Sequence, residues 1–377
     1  VENKKPALLI CIFFLFLSFS GNGQNEANEH FAKAIECVNK KDFAGAILWY
    51  DKTITIKNDF VSAYYNRANI HLHIGNAQKA LQDFQTCISL DSGFHKAYLG
   101  LGNVYFSKQS YDEAISYYSK VTEKDPVNEK AWNNMGIALM KTEKYPEAIV
   151  SFEKAISCGT KGAQVFYNKA VCHLKNKDTF SAISGFTSAY SEDNKYTKSI
   201  IERAKCYLSL QKYSEALQDL NQYIRLHPNE AEPYHLRAIS KIQLQDINSA
   251  VSDLSICLDI QPDHPGALQN HAMVQYQLKN YPKAQVLYSK ILTIEGNNQA
   301  QTYMQRGLCY LALDDYKNAL RDFDDAIHHD PKLAEAYFNR ANVHKKLEQD
   351  KKACNDLQMA IKNGYRQGLA YENILCD

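Results

Sequence analysis

Three observations on this 377-residue chain predict an all-α array of tandem helix-turn-helix units. Small residues recur at Ala34, Ala68, Gly102, Gly136, Ala170, Ala204, Ala238, Ala272, Gly307 and Ala341, at steps of 34 residues with one step of 35. Twelve residues after each stands an alanine, from Ala46 through to Ala353. Within each unit apolar residues fall at positions 4, 8 and 11, then 17, 20, 24 and 27. Those are the i, i+4, i+7 faces of two helices, A and B, joined by a short polar turn. A fixed period of this size means stacked repeats, and it replaces the two or three separate domains that length alone would suggest.

Residues 1–23 read differently from the rest. Lys4 and Lys5 precede an apolar run from Ala7 to Phe19, followed by the small residues Ser20, Gly21 and Gly23. That order is expected of a secretory signal cleaved before Gln24, which places the mature protein in a periplasmic or extracellular space. The run is shorter than the roughly 20 residues that span a bilayer, and an uncleaved N-terminal anchor is the alternative. After a short stretch at 24–26, ten repeats over 27–365 are expected to start at residues 27, 61, 95, 129, 163, 197, 231, 265, 300 and 334. The small residues at positions 8 and 20 let helices A and B approach, and large residues such as Trp132, Tyr145 and Phe152 fill the space around them. Pro126, Pro228, Pro262 and Pro331 close four units, where proline cannot continue a helix. Pro146 and Pro282 open a helix B, where the missing N–H costs nothing. The one extra residue is assigned to a loop over 295–299. Helix B of repeat five, rich in Ser181, Ser184, Gly185, Thr187 and Ser188, is the weakest helix former. Residues 366–377 read as a cap, with Gly368 onward like the start of an eleventh helix A and Tyr371 at position 4.

Loss of the signal leaves 41 basic and 41 acidic side chains, so no electrostatic footprint for nucleic acid or an anionic membrane survives. Of the ten cysteines, Cys37, Cys87, Cys172, Cys206, Cys257 and Cys309 fall at core or near-core repeat positions, where they read as small apolar residues. Cys172 and Cys206, at one position in adjacent repeats, are the pair that first invites a test for bridging. No C-x-x-C, H-E-x-x-H, G-x-S-x-G or phosphate-binding loop occurs, so no metal, cofactor or catalytic residue is assigned. His71 and His73 do not share a helix face, and the adjacent His328 and His329 read as a solvated turn after helix B. Arg stands at position 7 in five repeats (Arg67, Arg203, Arg237, Arg306, Arg340), and Asp at position 23 in the same five (Asp83, Asp219, Asp253, Asp322, Asp356). The matched sets predict structural ion pairs between helices A and B of one unit.

The stretch from His95 to Asn128 carries the unit most plainly, with Tyr98, Gly102, Tyr105, Tyr111, Ala114, Tyr118 and Pro126 at positions 4, 8, 11, 17, 20, 24 and 32. This pattern resembles the tetratricopeptide repeat family over nearly the whole chain after residue 26. The resemblance implies a right-handed superhelical solenoid and a non-enzymatic protein-binding scaffold, whose groove is lined by helix A positions 2, 5, 6, 9, 12 and 13. On those positions stand Asn66, Asn69, Asn103, Asn133, Asn134, Asn168 and Lys198, with further asparagines at Asn270, Asn339 and Asn342. Asparagine both donates and accepts, so such a ladder suits an extended polypeptide backbone; the plainer alternative is a polar filler. The carboxylate clamp of co-chaperones in this family is matched at Asn168 and Lys198 but not at Asn133, Ile137 or Glu202. The function expected is therefore capture of an unidentified polypeptide in the groove. The alternative is a structural subunit that joins a cell-envelope complex by its convex face or its ends.

Overall fold

The computed structural model describes residues 7–294, 299–371 and 376, with side chains from residue 23 onward. Among these residues are twenty α-helices and one short 3-10 helix, forming ten A/B pairs in chain order. The first compact unit extends to Ser199. It contains α1 (Ala7–Asn39), α2 (Phe43–Ile56), α3 (Val61–His73), α4 (Ala77–Leu90), α5 (His95–Ser107), α6 (Tyr111–Lys124), α7 (Glu129–Lys141), α8 (Tyr145–Ser157), α9 (Ala163–Lys175) and α10 (Thr179–Glu192). The second unit begins at Ile200, the third residue of its first helix. Its helices are α11 (Lys198–Ser209), α12 (Tyr213–Leu226), α13 (Ala231–Gln243), α14 (Ile247–Ile260), α15 (Pro265–Gln277), α16 (Tyr281–Leu292), α17 (Gln299–Ala312), α18 (Tyr316–His329), α19 (Ala334–Lys346) and α20 (Asp350–Lys362). Helix α1 starts twenty residues before Ala27, so helix A of the first repeat is continuous with the residues ahead of it.

Each A–B turn is built the same way. Position 15 is left-handed, at φ near 60° in Lys41, Gln109, Glu143, Lys177, Gln211, Gln245, Lys279, Asp314 and Glu348 and at 83° in Gly75. In repeat three Ser110 N donates to Tyr105 O (2.9 Å) and Gln109 N to Phe106 O (2.9 Å), the pair of bonds that terminates a helix on a left-handed residue. The next residue caps helix B: Asp42, Asp178, Asp246 and Asp315 each accept a backbone N–H three residues on. Pro146 and Pro282 lie in the first turns of α8 and α16.

The core follows the repeat arithmetic. The alanines at position 20 are fully buried, and a ring at position 24 fills the gap beside them in Tyr50, Phe84, Tyr118, Phe152, Phe186, Tyr288 and Phe323. Each such ring contributes about 2–3 kcal/mol by burial. Gly102 is required for this packing, because a Cβ there would lie 2.4 Å from Tyr118 Cε1. Cys87, Cys172, Cys206, Cys257 and Cys309 are buried and unbridged, and burial pushes their thiols up to about 11 or 12. They are inert packing atoms at neutral pH.

The structure bears on several of these expectations and corrects some of them. Cys172 and Cys206 are free; the bridge present joins Cys354 on α20 to Cys376, tying the C-terminal segment to the last repeat. Residues 366–371 form a 3-10 helix rather than the first turn of an α-helix. Its neighbour Tyr365 stacks on Phe338 at 4.6 Å, and Tyr371 meets the same ring edge-on at 5.2 Å. With Gly364 at φ 101° and a disulfide so close, the segment folds back over α19 before an α-helix can begin. His328 and His329 belong to the last turn of α18, not to a turn after it. Helix α10 forms over its full length despite its serines, helped by the Asp178 cap. Of the loop expected over 295–299, Gln299 instead begins α17, and residues 295–298 lie outside the described residues. Among the described residues no helix is long and apolar enough to cross a membrane.

Candidate functional site on the helix A faces

In the first unit, the helix A faces of consecutive repeats enclose two pockets built from equivalent positions. One, of about 430 Å³, is lined by Ile35 and Val38 of α1, Phe43 and Tyr50 of α2, and Asn66, Asn69, Ile70 and His73 of α3. The other, of about 360 Å³, is lined by Asn103 and Phe106 of α5, Tyr118 of α6, and Asn134 and Ile137 of α7. In each, positions 9 and 12 of one repeat, the ring at position 24, and positions 6 and 9 of the next repeat form the walls. The result is an apolar depression with asparagine at its rim.

The asparagines are not equivalent. Asn103 Oδ1 accepts from Tyr118 Oη (2.8 Å) and from Asn134 Nδ2 (3.0 Å), and Asn133 Nδ2 reaches Asn134 Oδ1 at 3.4 Å. Burial pushes the Tyr118 hydroxyl well above its ordinary value, so it stays a donor. These bonds fix the Asn103 amide, whose N–H₂ has no hydrogen-bond partner among the described residues. Asn66 sits beside the Tyr50 hydroxyl, which burial also raises. Asn69 is exposed, and its amide returns to Tyr65 O of its own helix at 2.9 Å. Asn168 is 7% exposed and accepts from Gln164 Nε2 at 2.7 Å, while Gln164 Oε1 accepts from Tyr196 Oη at 2.9 Å. Lys198 is exposed. The structure thus brings Asn103, Asn133 and Asn134 into one network and keeps the buried Asn168 in a separate one with Gln164 and Tyr196.

The arginines at position 7 each grip the aspartate at position 23 with two parallel bonds. Nε and Nη2 meet the two carboxylate oxygens at 2.9 and 2.6 Å in Arg67–Asp83, 2.8 and 2.7 Å in Arg203–Asp219, and 2.8 and 2.6 Å in Arg237–Asp253. Arg306–Asp322 and Arg340–Asp356 repeat the geometry at 2.8 and 2.7 Å and at 2.8 and 2.6 Å. A second contact was not legible: Nη1 reaches back to position 25 of the preceding repeat. Its partners are Asp51 for Arg67, Asn221 for Arg237, Ser289 for Arg306 and Asp324 for Arg340. The arginine therefore joins three helices across a repeat boundary, and its position inside the stack marks it as structural.

One grouping carries no recognisable sequence motif. Glu232, His235 and His264 converge in the second unit, from positions 2 and 5 of repeat seven and the last residue of that repeat. The local E-x-x-H is too short to single out, and its third member is 29 residues beyond His235.

Residues 21–205 match the family described as Tetratricopeptide repeat protein 21 C-terminal ARM domain, and residues 201–230 and 300–333 each match a Tetratricopeptide repeat. The C-terminal part of a TPR repeat-containing protein from Cytophaga hutchinsonii has a similar structure, at TM-score 0.56 and 19% identity, covering 63% of this chain and 98% of that one. YrrB, described as a TPR protein with an unusual peptide-binding site, gives TM-score 0.37 and 23% identity over 59% of this chain and 96% of that one. Sperm-associated antigen 1 of Homo sapiens is 36% identical over 83 residues, which is 22% of this chain and 9% of that protein's length. The chain is a tetratricopeptide-repeat protein of about ten repeats.

Proposed function

We propose that this protein is a non-enzymatic scaffold that holds an extended polypeptide along its helix A faces, with the first unit as the lead site. The observation that carries the reading is the pair of equivalent pockets, each an apolar depression edged by asparagine. An extended segment would seat apolar side chains in the depressions, while asparagine amides pair with its backbone; the pre-fixed Asn103 donor pays little ordering entropy on binding. Repeats of this family typically serve as protein-binding scaffolds, which supports the class. The N-terminal charge and hydropathy order supports export, and the Cys354–Cys376 bridge fits an oxidising compartment.

The test is affinity capture from a cell-envelope fraction with the chain starting at Gln24. Wild type is compared with an Ile35→Phe/Ile137→Phe variant that fills both pockets, and with Val150→Glu on exposed helix B surface. Loss of the captured polypeptide in the pocket-filled variant alone supports the groove. Loss only in Val150→Glu moves the interface to the helix B side and makes the protein an assembly subunit.

A further inference from the structure

Away from the helix A pockets of the first unit, one set of side chains among the described residues brings metal-ligand atoms together. The ligand atoms of Glu232, His235 and His264 all lie within 4.8 Å of one another. Glu232 and His235 are three apart on α13 and share a face; His264 is the N-cap residue of α15. Glu232 Oε2 is 3.0 Å from His264 Nε2 and 3.8 Å from His235 Nδ1, and the two rings lie 4.7 Å apart between centres.

Two details separate this group from an ordinary ion pair. His235 Nδ1 is buried and has no hydrogen-bond partner, although the ring's other nitrogen is engaged by the Asn270 amide at 3.1 Å. An orphaned buried nitrogen facing a carboxylate is a position that a ligand completes. Residue 266, near the cap, is also packed against this ring: a Cβ there would lie 2.5 Å from His235 Cε1 and would displace the imidazole.

We propose that Glu232, His235 and His264 bind a divalent transition ion of the zinc class, through the carboxylate, Nδ1 and Nε2 respectively, with one coordination position open to solvent. Two imidazoles and one carboxylate suit zinc and its neighbours rather than calcium or magnesium, which take oxygen ligands. Glu232 is half exposed, so the site has an open side.

The protons can be followed atom by atom. Ala267 N donates to His264 Nδ1 at 3.2 Å, which places the ring proton on Nε2, facing Glu232. An ion taking Nε2 moves that proton to Nδ1, and the bond to Ala267 is given up. At His235 the Asn270 amide oxygen accepts from Nε2–H once the amide is turned, which leaves the Nδ1 lone pair for the ion.

The test is calorimetric titration of the chelator-treated full chain with Zn²⁺ alone. One saturable equivalent is expected in the wild type. Glu232→Gln and His264→Asn should each weaken it by roughly 10-fold or more. Asparagine keeps the helix cap and Glu232 is at the surface, so both variants fold, which circular dichroism without zinc verifies. Cobalt loading of the wild type should give visible bands without a thiolate charge-transfer band. Absence of saturable binding, equal binding by the variants, or a thiolate band would each overturn the proposal.

Discussion

Arg340 Nη1 lies 2.6 Å from Oδ1 of Asp324, an aspartate carried by helix B of the preceding repeat, while the rest of the same guanidinium holds Asp356. The two contacts differ in burial: Asp356 is buried, whereas the Asp324 side chain is 62% exposed. Burial raises the carboxyl of the equivalent Asp322 even beside Arg306, so that pair chiefly compensates for its own desolvation. Arg340→Ala, which leaves the buried Asp356 only His344 Nε2 at 3.7 Å, should cost about 3 kcal/mol. Asp324→Ala should cost less than about 1 kcal/mol. Amide exchange of α19 and α20 measures both, and equal costs would contradict the assignment.

The cysteine bridge should hold the C-terminal cap in place. Closing a loop between residues 22 apart stabilises by about 3 kcal/mol in the chain-entropy account. Cys376→Ser should therefore free residues 366–371 from Phe338 and expose Ala341 and Leu357 beneath. Exchange rates in α20 that match the wild type would show the bridge to be dispensable.

His271 should make the second unit acid-sensitive. It is 3% exposed, and burial, with Lys283 nearby, lowers its pKa to about 4. The unfolded chain takes up a proton near pH 6.5, so it binds more protons than the native state between those values. Stability is complete above pH 6.5 and falls as pH drops toward 4, by up to about 3 kcal/mol. His271→Gln should flatten that fall in a melting series from pH 7 to pH 4.5; identical slopes would exclude His271 as the cause.

Helix α10 should open more readily than its neighbours. Five of its residues are serine, threonine or glycine within eight positions, and Gly185 already presses against Ala170, whose Cβ lies 2.8 Å from where a Gly185 Cβ would stand. Amide exchange should be faster in α10 than in α8. Gly185→Ala should destabilise by about 1–3 kcal/mol through overpacking despite its better helix propensity. Protection equal to that of α8 would refute the first expectation.

The helix pairs were legible because stacking repeats the same constraint every 34 residues, so Ala46 and Tyr50 announce Ala114 and Tyr118. The position 7 and position 23 pairing was legible because arginine and aspartate stand there together in the same five repeats and in none of the others. The reach of Nη1 to position 25 was not, since Asp51, Asn221, Ser289 and Asp324 all accept a hydrogen bond there and no residue type is selected. Nor could the sequence separate Asn103 from Asn168: both stand on helix A positions, and only the packing of Tyr118 and Gln164 decides which amide is fixed at a pocket and which is buried. The Cys354–Cys376 bridge depends on a chain reversal after Gly364 that the helical period does not predict.

The most direct test of the groove places a photo-crosslinking side chain at position 137, in the Asn103–Asn134 pocket, and another at position 150 on exposed helix B surface. The chain starting at Gln24 is then irradiated in a cell-envelope fraction. A crosslinked polypeptide is expected from position 137 and none from position 150. Crosslinks from position 150 alone would contradict the groove and assign the interface to the opposite helices.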